Sequence, residues 1–245
     1  PGNKKKTSLD KYVKKFDSLF EDIKKRGFDS KKTLIPVSEK GNIMNGAHRV
    51  ASCIYLKKKL SFIQLGKEDH KYNYEFFYKR KIKINYLDMS LLKYIEYFKN
   101  IYLAFIWPTA ELNNWNILKY FKNIIIKKEI NLTHNGAHNL ITQVYHGEPW
   151  IGNVENNFKG SKNKLLECFK ADGPVKIILF KSNSLKNVQK LKNNVRQFLN
   201  KGKHSIHITD NYIETNRLLK TVLSKNNIHF LNFAKPNKYL STHNI

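Results

Sequence analysis

Ile35-Pro36-Val37-Ser38-Glu39, Lys40-Gly41-Asn42 and then Ile43-Met44-Asn45-Gly46-Ala47-His48-Arg49-Val50-Ala51 is the stretch on which the fold of the amino-terminal part turns. A short strand reaches a glycine turn, a second extended pair follows, and a helical run begins behind Gly46. Upstream, Leu9, Tyr12, Val13, Phe16, Leu19, Phe20 and Ile23 recur at the three-and-four spacing of an amphipathic helix over 9–26, and Gly27 stands where a terminating glycine belongs. Downstream, the run 60–65 predicts another strand. The expected order is helix, strand, turn, strand, helix, strand.

Beyond residue 70 the pattern changes. Residues 71–100 are rich in Tyr, Phe and Lys, and Leu91, Leu92, Tyr94, Ile95, Tyr97 and Phe98 predict a helix. The continuous apolar run 101–107, closed by Pro108, has the pattern of a buried strand. After it we expect a helix at 115–121, a strand at 124–126 and a helix from Asn135 or Gly136 to Tyr145. A loop at 146–164 follows, then strand 175–180, helix 184–199, strand 205–208, helix 212–223 and strand 228–233. Strands alternating with helices define an α/β (α+β) chain, with a mixed sheet expected in the second unit. The expected organisation is a unit at 1–70, a helical connector at 71–100 and a second α/β unit at 101–245. Asn45-Gly46-Ala47-His48 is echoed by Asn135-Gly136-Ala137-His138. The echo suggests two similar helix-start turns, although Asn139 replaces Arg49 in the second copy.

Composition bounds the function. Hydrophobic residues make up 41% of the 245 and charged residues 26%, a globular composition that excludes a disordered chain. No apolar stretch approaches the roughly 18 residues of a membrane span. Cys53 and Cys168 form no CxxC pair and are expected to be reduced and buried, and the first residues have no apolar core behind their lysines; a cytoplasmic location is the expectation. The net charge of +26 attracts polyanions. Only five of the 45 basic residues are arginine, so Arg49, Arg196 and Arg217 carry particular weight as bidentate phosphate ligands.

The 45–49 turn suits a phosphate group. A glycine lets the backbone approach an anion, the amides at a helix start point at it, and Arg49 in the first turn clamps an oxygen. A solvated His-Arg pair behind an ordinary glycine turn is the alternative. The "IPV" strand Ile35-Pro36-Val37 and the run Gly46-Ala47-His48-Arg49-Val50-Ala51, preceded by the 9–26 helix, resemble over about residues 9–66 the ParB/sulfiredoxin superfamily, whose members share a G-x-x-R-x-x-A phosphate-binding motif. That resemblance implies a nucleotide-binding unit in which Asn45, Gly46, Ala47, His48 and Arg49 hold the phosphates. It further implies ATP or CTP as the nucleotide and either phosphoryl transfer or a nucleotide-switched DNA-binding function. Asn45 stands where kinase-type members of the superfamily carry Asp.

Two further constellations carry chemistry. In 203–210, Lys-His-Ser-Ile-His-Ile-Thr-Asp, strand parity puts Ser205, His207 and Thr209 on one face and His204, Ile206, Ile208 and Asp210 on the other. Asp210 is an N-cap or a catalytic carboxylate; Arg196 and Arg217, on the flanking helices, are candidate substrate ligands with His204 and Ser205. In 146–152, Glu148 is a candidate base beside Trp150. The expected function is an ATP-dependent kinase, or a ligase acting through an acyl phosphate, on a small polar or anionic substrate. Mg²⁺ would bridge the phosphates, and Glu39, Glu148, His207 or Asp210 would handle the proton. The alternative is a ParB-like DNA-binding protein.

Overall fold

The computed structural model describes residues 8–68, 72–111 and 115–233, in two compact units, 1–72 and 73–245. In the first, α1 (Leu9–Arg26) opens on Ser8, whose side chain accepts from Lys11 N, and ends at Gly27 with φ 78°. Strand β1 (Ile35–Val37) pairs in parallel with β2 (Phe62–Gln64), and α2 (Ala47–Tyr55) makes the crossover between them. The second extended pair shrinks to a single bridge between Val37 and Ile43, because the chain must turn at once into α2. Rings tie the two helices: Phe16 and Tyr12 each lie 5.3 Å from the His48 ring, and Phe20 lies 5.7 Å from Tyr55.

The second unit begins with α3 (Tyr74–Lys79) and α4 (Ile84–Ile95), then β3 (Ile101–Ile106), β4 (Ile124–Ile130), α5 (His134–Val144), α6 (Lys159–Cys168) and β5 (Val175–Lys181). It closes with α7 (Leu185–Leu199), β6 (Ile206–Ile208), α8 (Tyr212–Leu223) and α9 (Lys225–Phe233). The class is mixed α/β. The sheet runs β4-β5-β3-β6, and all of its pairings are antiparallel, in place of the mixed sheet expected. The helices therefore serve as covers for its two faces. Ile101, Leu103, Phe105 and Trp107 face a core built with α4, α5, α6, α8 and α9. Tyr102, Ala104 and Ile106 face a second core with α7 and the short turn Asn116–Tyr120. Both cysteines are free and buried. No helix among the described residues is long and apolar enough to cross a membrane.

Several expected elements change identity. Residues 228–233 are helical: Ser224 Oγ accepts from Asn227 N at 3.1 Å and Leu231 packs into the α5/α8 core, so a short apolar run that reads equally as strand is taken by a cap and a helical spacing. Residues expected as the loop 146–164 include a tight turn at Pro149–Ile151 and the start of α6. The expected connector contributes Leu91 and Ile95 to the second unit's core. The NGAH echo also divides. Gly46 is the left-handed cap of α2, with φ 86°, whereas Gly136 lies inside α5, which Thr133 caps. There the absence of a side chain admits Asn232 of α9, whose Oδ1 accepts from Thr133 N at 3.0 Å.

Gly160, in the first turn of α6, sits so close to the Trp150 carbonyl that a methyl would collide with backbone atoms. Alanine at a helical position ordinarily gains up to about 1 kcal/mol over glycine. The expected result for Gly160→Ala is nevertheless a net loss of about 1–3 kcal/mol, from overpacking against a backbone that cannot rotate aside. Urea denaturation measures it, and an unchanged or raised midpoint would show that the 149–151 turn and α6 separate freely.

Candidate active site

The site is built at the short edge strand β6. Strand parity turns Ile206 and Ile208 into the α7 core and sends His207 to the opposite face, opposite Phe105 in the register. Asn211 caps α8 by accepting from Glu214 N at 2.9 Å, which places Glu214 in the first turn with its carboxylate folded back. Its Oε2 accepts from Asp210 N at 2.8 Å and its Oε1 lies 2.9 Å from His207 Nε2. The two side chains are 13% and 17% exposed, so this pair is largely withdrawn from water yet still reachable.

Aromatic and cationic groups surround it. Tyr145, at the end of α5, meets the His207 ring edge-on at 5.1 Å, and the exposed Trp150 ring lies 5.2 Å from Tyr145. From α6, Lys164 Nζ stands 5.2 Å over the Tyr145 ring, 3.2 Å from His204 Nδ1, and donates to the Lys203 carbonyl at 3.3 Å. Burial lowers the Lys164 pKa, and the positive charges of Lys203 and Arg196 lower it further against the opposing pull of Cys168 and Glu167. Burial, with Cys168 and Glu214 nearby, raises the Tyr145 hydroxyl, while Arg196 and Trp107 act the other way. Arg196 therefore lies within electrostatic reach of both Lys164 and Tyr145, and its Nε is buried without a hydrogen-bond partner.

Not every expected residue joins this cluster. His204 falls in the tight turn Gly202–His204 ahead of β6, so strand parity does not govern it, and it meets α6 instead. Ser205 donates to the Gly202 carbonyl at 2.7 Å and is fully buried, holding that turn. The Asp210 carboxylate pairs with Lys192 of α7 at 3.3 Å; the cap of α8 is Asn211, so Asp210 is not the N-cap expected, and the carboxylate that meets His207 is Glu214. Arg217 donates to the Gln143 carbonyl at 2.6 Å, sealing the end of α5. Glu148 is exposed and begins the Pro149–Ile151 turn.

In the first unit, Asn45 Oδ1 accepts from Gly46 N at 2.6 Å, Ala47 begins α2, and the His48 ring is hydrogen-bonded to the Tyr12 hydroxyl. Arg49 folds back across the glycine. Its Nη1 donates to the Thr33 hydroxyl and to the Leu34 carbonyl at 3.5 Å. A Cβ at Gly46 would stand 2.8 Å from Arg49 Nη2 and 2.9 Å from Ile35 Cδ1, so this position needs glycine for its φ and for its space. Glu39 is exposed, and its carbonyl accepts from the Gln64 side chain at 2.7 Å.

No family model, curated protein or solved structure matches the chain. Nothing in those comparisons identifies the ParB/sulfiredoxin superfamily. The site thus rests on its own geometry. Sequence reasoning passed over Lys164, which lay in a segment expected to be loop, and Tyr145, which gave no signal beyond its place at a helix end. Glu214 carried one usable sign, an acidic residue three positions after an N-cap asparagine.

Burial raises the Glu214 pKa, but the hydrogen bond and charge of His207, the Asp210 amide and Arg217 outweigh it and hold the group below its ordinary 4.5. A carboxyl depressed in the folded state stabilises the fold above its unfolded pKa and loses that contribution as pH falls through the folded value. The stability gap between the native chain and Glu214→Gln is therefore expected to be largest above about pH 4.5 and to shrink at more acidic pH. Denaturation midpoints across pH 3–7 measure it, and a gap that widens on acidification would reverse the assignment.

Proposed function

We propose that the chain is an ATP-dependent phosphoryl-transfer enzyme whose chemistry is carried by the His207 crevice of the second unit. The observation that supports this reading is Lys164, set 5.2 Å over the Tyr145 ring that meets His207 and within electrostatic reach of Arg196, whose buried Nε lacks an acceptor. Two half-buried like charges repel one another, and an anion bound between them relieves that cost. A phosphate group is an anion of the right kind, since guanidinium and ammonium both pair with its oxygens.

His207 supplies the proton chemistry in this reading. With Nε2–H donated to Glu214, the ring is held in the tautomer whose Nδ1 is free to take a proton. A substrate hydroxyl passes its proton to Nδ1, its oxygen takes the γ-phosphoryl group, and ADP leaves. Lys164 and Arg196 neutralise charge on the phosphoryl oxygens, and the Tyr145 and Trp150 rings offer flat apolar surface to a nucleobase. If the acceptor is instead a carboxylate, the same cations favour an acyl phosphate and a ligase outcome. Among the described residues no group of three His, Cys, Asp or Glu is placed to hold a metal ion, so Mg²⁺ would be carried on the nucleotide's own phosphates. The Gly46 turn of the first unit, with Arg49 Nη2 beside it, is in this reading a phosphate-binding turn of its own.

Arg196→Ala is expected to weaken ATP binding by about 10- to 100-fold, the worth of a charge-assisted hydrogen bond. His207→Gln should keep binding and lower turnover by about 10²–10⁴-fold. Calorimetry with ATP and CTP, with and without Mg²⁺, and an ADP-release assay over a panel of hydroxyl and carboxylate substrates provide both readouts. Unchanged ATP affinity in Arg196→Ala would remove the basis of the reading. Binding of duplex DNA that collapses between low and physiological salt, with no response to nucleotide, would favour the DNA-associated alternative.

A further inference from the structure

At the other end of α8 lies a second, separate cavity. Glu214 is in the first turn of that helix and Leu223 is its last residue, so at 1.5 Å per residue they stand about 13 Å apart along the axis. The cavity there, about 870 Å³, opens between α4 and the junction of α8 with α9. Its apolar surface comes from Ile84, Met89 and Leu92 of α4 and Leu223 of α8, beside the polar side chains of Asn85, Ser224, Asn226 and Asn227. Met89 and Ile84 remain exposed although they sit on a helix whose other face, through Leu91 and Ile95, is sealed in the core.

One wall residue is a buried acid. Asp88 lines it, is only 5% exposed, and is held by the Tyr74 hydroxyl, which donates to Oδ1 at 2.8 Å. Burial raises its pKa, opposed by that hydrogen bond and by the Lys128 charge. A carboxylate offers about four acceptor positions, so one hydrogen bond from Tyr74 leaves it able to receive two more from a ligand. The ammonium of Lys128 is turned to the Leu223 carbonyl and makes no ion pair that would take up those positions. On the outer side, Lys83, Lys220 and Lys225 ring the opening.

A ligand suited to these walls has a flat apolar body, two adjacent N–H donors on one edge and a negatively charged tail. Guanine has that edge in N1–H and the N2 amine, whereas adenine offers only one donor beside an acceptor at the equivalent edge. We propose that this cavity is a guanine-nucleotide site, with the base between the α4 and α8 side chains, its N1/N2 edge on Asp88 and its phosphates on the three lysines. The volume lies within the ordinary range for small-molecule sites. The site does not depend on the chemistry assigned to His207.

The test is calorimetry with GDP, inosine diphosphate, ADP and xanthosine diphosphate on the full chain carrying His207→Gln and Arg196→Ala, so that the crevice does not contribute. GDP is expected to bind best, with inosine diphosphate, which lacks the N2 amine, about tenfold weaker and ADP weaker still. Asp88→Asn still accepts from Tyr74 but presents N–H groups, and should transfer the preference from GDP to xanthosine diphosphate. Lys220→Gln with Lys225→Gln should weaken GDP about tenfold or more and leave guanosine unchanged. No GDP binding, equal affinity for GDP and ADP, or a preference that Asp88→Asn leaves intact would each overturn the proposal. If Asp88→Asn lowers the melting temperature too far for titration, the ratio of GDP to inosine diphosphate decides, and equal affinities overturn it.

Discussion

The burial of β3 on both faces is the constraint on which the second unit rests. All six of its residues are withdrawn from solvent, and Trp107 beyond them is as well. A strand sealed in this way leaves no room for polar chemistry on itself and needs a helical layer on each side. The layers follow: α7 and the 116–120 turn on one face, and the larger set of α4, α5, α6, α8 and α9 on the other. Polar side chains are displaced to the edge, where β6 is only three residues long and its middle residue, His207, keeps a small exposed part. An edge so short exposes few unpaired backbone groups, and α7 and α8 close in around it.

Antiparallel pairing changes the argument for where a site belongs. In an open parallel sheet the carboxyl ends of the strands share one rim, and ligands collect there. The sheet has no such rim, since neighbouring strands end on opposite sides. His207 is nonetheless joined to other polar groups because two helix ends, that of α5 at Tyr145 and the start of α8 at Glu214, meet it, and the middle of α6 brings Lys164 over the Tyr145 ring. Helix ends are where side chains and orphan amides are brought together, so the convergence replaces the strand rim. Glu214 shows the economy of this. One oxygen completes the cap of its helix and the other orients the histidine.

The sequence carried much of this frame, and its failures have identifiable causes. The run 101–107 was legible because seven consecutive apolar residues before a proline leave few alternatives, and α1 was legible from its spacing and the glycine that ends it. Residues 228–233 were not, because a run of that length fits either period until the cap at Ser224 and the packing of Leu231 are known. The repeated NGAH was misleading for a different reason. In one copy glycine supplies a left-handed backbone, and in the other it supplies space for Asn232, two uses that a letter match cannot separate. His207 was singled out from alternation alone; its carboxylate partner, Glu214, was not, since sequence distance says nothing about which carboxylate the turn into α8 folds back.

The positive charge is distributed in a way that bears on both candidate sites. Many of the ion pairs among the described residues are exposed i,i+3 or i,i+4 contacts such as Lys93–Glu96 and Lys79–Glu75, which water screens and which add little to stability. They do little to offset a net charge of +26. Lys176 is handled otherwise: nearly buried, it is neutralised by Glu129 at 2.5 Å. Among the described residues Lys164 and Arg196 form no such ion pair: Glu167, whose charge reaches Lys164, is paired with Lys170 at 2.8 Å, and Glu214 is bound to His207 and the Asp210 amide. At the Asp88 cavity the position is reversed, with one acid recessed behind a ring of lysines. A chain that neutralises its buried lysine in one place and leaves cations unneutralised in two others has, at those two places, the electrostatic conditions that an anionic ligand satisfies.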